Sequence, residues 1–323
     1  MRLTTREKEI VEALQKEPLI SQEELALQFG ISRSSVAVHI SNLMKKGIIL
    51  GKGYVFSQKS SVVVVGQVGL EISLQGMPDS TAIDLQHAGF GLETCKDLFQ
   101  FGVSPKLVTI VGNDELGHDL LEELLRLEVD INNIYRHPHK RTSKWVRSAD
   151  GFSASEGFSP EEYQKVIAAR EWVVGNCDYL LVDPELREMV AAQIRERQGQ
   201  KPAICGHWFF PQEMPLGFKQ CNLAVIGVED FQDYDLYVNK AMELIGAGTM
   251  NCIITDGLSH MLDVTSGGAS DYPLLPSQVF DSRAELGTFM AGLVYGLSAH
   301  YPLRQAMRIA AGAAHGGSEK SAG

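Results

Sequence analysis

With 323 residues, 44% hydrophobic and 21% charged, the chain is long enough for two domains, each able to bury a core without covalent staples. Its five cysteines (Cys95, Cys177, Cys205, Cys221, Cys252) form no C-x-x-C pair, no apolar run reaches membrane length, and MRLTTREKEI does not read as a signal peptide. That argues against a disulfide framework, a cysteine metal site and a membrane span, and points to reduced thiols in the cytoplasm. The net charge of −11 is unevenly spread: residues 1–60 carry nine Lys/Arg against six Asp/Glu, the remainder twenty against thirty-four. A basic head on an acidic body fits a DNA-reading module joined to a domain that does not touch DNA.

Thr4-Thr5-Arg6-Glu7 has the spacing of a capping box, so a first helix is expected, with Ile10, Val11 and Leu14 on its apolar face and Pro18 as its stop. Ser21-Gln22-Glu23-Glu24 repeats the signal for a second helix carrying Leu25, Ala26 and Phe29, which Gly30 ends. A third helix follows after a turn of a few residues, as in a helix-turn-helix. Val36, Ile40, Leu43 and Met44 are its expected core stripe, which leaves Arg33, Ser34, Ser35, His39 and Asn42 outside. Residues near the start of such a helix read bases, so Arg33, Ser34 and Ser35 are the leading DNA-binding candidates, with His39 less telling. Residues 48–56 read as a hairpin wing with Lys52 at its tip, and Lys45, Lys46 and Lys52 are expected to meet phosphate. The expectation for residues 1–58 is a winged helix-turn-helix that binds double-stranded DNA as a homodimer. A winged helix used only for protein contacts is the alternative.

Beyond a polar link, strand-like runs at 62–65, 107–111, 179–182, 223–226 and 252–255 alternate with helical patterns at 116–127 and 185–197. That alternation predicts an α/β domain with a mainly parallel sheet, helices on both faces, and ligands beyond the carboxyl ends of the strands.

Three segments of this body resemble the ribokinase-like (PfkB) sugar and nucleoside kinases. Residues 107–117 are similar to the family's "vGdDelG", Glu128-Val129-Asp130 resembles its "GVD", and Asp281 to Gly292 lies over D-T-x-G-A-G-D-x-F-x-A-G. The resemblance spans residues 62 to about 315, and a winged helix before such a domain resembles a bacterial subgroup with pseudouridine-kinase-like members. It implies a ribokinase-like α/β sandwich over 62–323, here with a shortened C-terminus, and a nucleotide site at Asp281, Ala284, Glu285 and Leu286.

The departures from that pattern matter for chemistry. The family's glycines, whose amides approach the phosphate, are replaced by Ala284 and Leu286, with the carboxylate of Glu285 between them. Its aspartate base is replaced by Gly287, which has no side chain to accept a proton. On the sugar side the resemblance implies Glu71, Gly89 and Glu93, each in an altered motif, and Glu229 alone survives of the magnesium-side N-x-x-E. The resulting expectation is a transcriptional regulator with a pseudokinase body that senses a small sugar or nucleoside or serves as a dimerisation scaffold. No cofactor is then expected. The alternative is an active sugar or nucleoside kinase that uses ATP and Mg2+ and carries a regulatory DNA-binding head.

Overall fold

The computed structural model of the protein describes residues 4–16, 20–45, 60–77, 80–148, 152–195, 201–215 and 217–321. The chain forms two compact units, Met1–Ser60 and Ser61–Gly323, each taken here by itself.

In the first unit three helices surround one small core: α1 (Thr5–Lys16), α2 (Gln22–Phe29) and α3 (Arg33–Lys45). Both capping boxes form. The Glu7 carboxylate accepts from the Thr4 amide at 2.7 Å and the Thr4 hydroxyl from the Glu7 amide at 3.2 Å, and Ser21 and Glu24 do the same. Gly30 ends α2 at φ +62°, a left-handed turn open to glycine without strain. Ile10, Leu14, Leu25, Val36, Ile40 and Leu43 are all buried.

Two expectations for α3 need correction. Met44 is 43% exposed and not part of the core stripe. His39 is half-buried, with Nδ1 buried and without a hydrogen-bond partner. At about 100° per residue, position 39 falls beside the core positions 36 and 43 and position 44 falls with 33 and 37, so the two change places. Pro18, Lys46, Lys52 and the expected wing lie outside the described residues, as does the side chain of Lys45.

The second unit is built on an eight-stranded sheet. In chain order its elements begin β1 (Val62–Val65), β2 (Gly69–Met77), β3 (Ser80–Ala88), α4 (Phe90–Gln100), β4 (Lys106–Val108), β5 (Ile110–Gly112) and α5 (Glu115–Arg126). They continue with β6 (Tyr135–His137), β7 (Ser143–Ser148), β8 (Ser153–Glu156), α6 (Pro160–Ala169), α7 (Glu171–Gly175), β9 (Tyr179–Val182) and α8 (Arg187–Arg195). The last are β10 (Ala203–Phe209), β11 (Leu223–Gly227), α9 (Tyr234–Ala247), β12 (Asn251–Thr255), β13 (His260–Thr265), β14 (Gly268–Pro273), α10 (Leu286–Ser298) and α11 (Leu303–Ser321).

The sheet order is β14-β13-β12-β11-β10-β9-β1-β4, parallel from β4 through β12 and closed by the antiparallel pairs β12–β13 and β13–β14. Period-2 alternation splits its side chains between two cores. Val62 and Val64 join Leu92, Leu98, Phe289 and Ala310 of α4, α10 and α11 on one face. Val63 and Val65 join Tyr163, Val190 and Leu244 of α6, α8 and α9 on the other.

The stretch expected as one strand, 107–111, is instead divided at Thr109. β4 stays in the large sheet and β5 pairs with β6. Below it, the Asp114 carboxylate caps α5 from the Gly117 amide (3.2 Å) and accepts the Thr142 hydroxyl (2.5 Å) and amide (3.1 Å). A side chain at 117 would meet the Gly112 carbonyl at 2.5 Å. The motif at 107–117 therefore ties a loop to the start of β7.

A second sheet, β3-β2-β7-β8, completes the unit. Its register puts Leu74 opposite Ile83, Ile72 opposite Leu85 and Val146, and Ala154 opposite Val146, all on one face. Directly paired residues point the same way, so this face is apolar, while Glu71, Ser73 and Arg147 lie on the other. Ile83 and Leu85 are 65% and 59% exposed.

Candidate functional site

The segment 280–287 crosses the carboxyl ends of β11 and β12. The Phe280 amide donates to Gly257 O at 2.8 Å and the Ser282 hydroxyl to Val228 O at 2.8 Å. Below it opens a cavity of about 680 Å3, bordered by Phe209, Glu229, Asp256, Asp281, Arg283 and His315. Burial works against the Asp256 carboxylate, but hydrogen bonds from the Ser259 hydroxyl and the amides of Ser259, Leu258 and His260 outweigh it and hold its pKa below the ordinary range. The Arg283 guanidinium lies 4.9 Å from the Phe209 ring centre.

The amides just ahead of α10 are taken. The amides of Arg283 and Ala284 donate to the Asp281 carboxylate at 2.8 and 3.1 Å, and that of Glu285 to Asp281 O at 2.9 Å. Leu286 begins α10 and is buried at 3% exposure. Three carboxylates (Glu229, Asp256, Asp281) face the cavity against one guanidinium, so its residues do not fit a triphosphate. Among the described residues, no group of three or more His, Cys, Asp or Glu is arranged to hold a metal ion, and Glu229 sits exposed at the cavity edge.

Gly287 is the second residue of α10, and the space before it is roomy. A Cβ built there would lie 3.5 Å from Asp97 Oδ2 on α4 and 4.0 Å from His207 Cε1 on β10. Thr288 Oγ1 is 3.2 Å from Asp97 Oδ1 and 3.1 Å from Glu285 Oε2. One hydroxyl proton cannot serve two carboxylates, which favours a proton on Asp97. Burial above all, then the charges of Glu93 and Glu285 against the Thr288 bond, push Asp97 up to about 7. Burial and Arg187 lower His207 to about 4, so its ring is neutral at pH 7.

The expected sugar-side residues gather nearby. Glu71 pairs with Arg147 at 3.3 Å, and Glu93 lies 3.7 Å from Lys96, which reaches Glu123 at 3.3 Å. Desolvation raises Glu93, Lys96 opposes it, and the charges of Glu123 and Glu71 add to the rise. Gly89, at φ +109°, has room for no side chain, since a Cβ would meet Gln67 O at 2.6 Å. Its role is to let the chain turn into α4. In the first unit Arg33 is tied to Glu23 at 3.0 Å, and the Ser34 and Ser35 hydroxyls lie 2.8 Å from that of Ser32.

Asp97, His207, Asp256 and Arg283 escaped sequence reading. Asp97 carried a usable signal, because it follows Glu93 by one helical turn and shares its side of α4. The other three are brought in by loops and strand ends that no local pattern marks.

Comparison with known proteins follows the same division. A family profile described as winged helix-turn-helix DNA-binding matches residues 3–49. A protein of Escherichia coli (strain K12), described as the uncharacterized sugar kinase YeiI, is 36% identical over 157 residues, 46% of this chain and 43% of its own length. The chain thus spans less than half of that relative. Ribokinase from Thermotoga maritima superposes with a TM-score of 0.61 at 17% identity, over 79% of this chain and 92% of that one. The body has the ribokinase-like fold. A ribokinase of Arabidopsis thaliana complexed with ribose and ATP superposes with a TM-score of 0.56 at 16% identity, over 79% and 91%. The ribokinase-like body follows a winged helix-turn-helix head, and no described helix is long and apolar enough to cross a membrane.

Proposed function

We propose that this chain is a cytoplasmic, DNA-binding transcriptional regulator whose ribokinase-like body binds a small sugar or nucleoside without phosphorylating it. Gly287 carries this reading. A general base contributes about 10²–10⁴-fold to such reactions, and in the segment just ahead of the helix that would cradle phosphate the amides of Arg283 and Ala284 are bonded to Asp281. Positioning and charge stabilisation supply nearly all of phosphoryl-transfer catalysis, so losing both removes the reaction. The polar groups around Glu71, Glu93 and Asp97 still suit hydroxyls, and the exposed apolar sheet face supports a homodimer.

One observation favours the second reading, an active sugar or nucleoside kinase. Asp97 faces the empty position at 287 with a pKa near neutrality, as a base for a substrate hydroxyl requires.

Two measurements decide between them. Purified protein is expected to release no ADP from ATP above background with ribose, fructose, adenosine or pseudouridine, magnesium and potassium present. Gly287→Asp alone is expected to leave that result unchanged. Turnover that Asp97→Asn abolishes would establish the kinase. The DNA-binding part is tested by salt-dependent retention of genomic fragments, and its absence at low salt sinks the regulator.

A further inference from the structure

The outer face of α3 holds few free readers. Arg33 is bound to Glu23, and Ser34 and Ser35 are drawn to the Ser32 hydroxyl, which also accepts the Ser35 amide at 3.1 Å. The polar residues best placed near the helix start are thus engaged by their own neighbours. Farther along the same face, Ala37 and Ser41 are exposed and short, and Val38 stands 59% exposed between them. Among the described residues Val38 therefore stands open, on the side of α3 away from the buried Val36, Ile40 and Leu43.

We infer that Val38 reads the 5-methyl group of a thymine in the major groove. The inference rests on the DNA-binding reading and adds the base that is read. The major groove admits one α-helix, and the thymine methyl is the apolar group on its base edges. Short side chains at 37 and 41 let the backbone of α3 approach the groove floor. Valine is stiff at χ1, so its two methyls are held in one direction and lose little freedom on contact. With Arg33 held by Glu23, Asn42, one turn after Val38, is the neighbouring side chain able to bond a base edge in bidentate fashion, which leaves the thymine methyl to Val38.

The test uses the full chain. Sites are selected from a random duplex pool, and each thymine of the enriched site is replaced in turn by deoxyuridine, which lacks only the methyl. Wild type should lose about fourfold in affinity at one thymine per half-site, the transfer value of one methyl-sized group. Val38→Ala should weaken the unsubstituted site by a similar factor, leave binding to unrelated DNA unchanged, and become indifferent to deoxyuridine at that thymine. Val38 is exposed, so an unchanged thermal melt is expected and separates contact from folding. A selected site insensitive to every deoxyuridine overturns the inference, as does a Val38→Ala protein that still loses affinity at the same thymine. A pool that returns unenriched removes the DNA-binding reading itself, and Val38 falls with it.

Discussion

Two carboxylates of the body respond to pH in opposite directions. Asp97 is held near 7 chiefly by burial, with Glu93 and Lys96 on its own helix, Glu285 just ahead of α10 and His207 on β10 around it. Its folded pKa lies above the unfolded value, so the native state binds more protons between the two and stability falls as pH rises from about 4 to 7. Asp97→Asn is therefore expected to raise the melting temperature at pH 8 and to lose that advantage below about pH 4. Asp114 behaves conversely. Burial opposes its charge, but the Thr142 hydroxyl and amide and the Gly117 amide outweigh it and hold the pKa low. Its contribution is present above the unfolded value and lost as pH falls through the folded one. Asp114→Ala should cost about 1 kcal/mol or more at pH 7, as for a lost helix cap, and less in acid. Melting curves from pH 3 to 8 check both, and parallel curves for wild type and either variant would refute that assignment.

At the scale of elements, α10 and α11 pack through small residues. A Cβ on Gly296 would meet Ala306 Cβ at 2.6 Å and Cα at 2.7 Å, and one on Gly292 would meet Ala310 Cα at 2.9 Å. Gly296→Val should separate the helices and destabilise the body by about 1–3 kcal/mol. Gly312, in the same pair, has nothing within 4 Å of a built Cβ. Gly312→Ala should stabilise by roughly 0.5–1 kcal/mol through helix propensity. Equal effects of the two in urea unfolding would show that packing does not set the helix separation.

Elements were legible where local chemistry determined them. Both capping boxes, Gly30, and the strands at 62–65 and 179–182 lie where hydroxyl–carboxylate spacing and short apolar runs put them. Residues 107–111 were misread because Thr109 turns the chain out of the sheet without glycine or proline. The sheet of β2, β3, β7 and β8 is not among the expected elements although Leu70, Ile72 and Leu74 alternate with polar residues; β3 follows β2 directly, but β7, which extends the sheet, lies far along the chain. Of the candidate site, the sequence marks Gly287 by its place in the segment 281–292. The spacing of Asp97 from Glu93 puts the two on one side of α4, but the approach of Asp97 to Gly287 comes from the packing of α4 on α10, which that spacing does not encode.

For the whole molecule the open question is what covers the apolar face of that sheet. Ile83 and Leu85 stand 65% and 59% exposed on β3, with Leu74, Ile72 and Val146 beside them in register. A contiguous exposed apolar patch of this kind marks an interaction surface. A second copy of the chain supplies a matching face without any other partner, since a two-fold contact pairs one patch with itself. Double substitution Ile83→Lys with Leu85→Lys puts like charges on both sides of such a contact and should convert a dimer into a monomer in light-scattering chromatography at micromolar concentration. The substituted positions are exposed, so the melting temperature of the monomer itself should change little. DNA binding should follow assembly. Two linked heads engage paired half-sites with an affinity well beyond one head alone, and the monomer keeps only the single-head term. The lysine variant is therefore expected to bind a single half-site as wild type does and to lose at least tenfold on the paired site, within the range that multivalency supplies. A variant that remains dimeric would assign the contact to another surface, and a wild-type monomer would leave this face to a different protein.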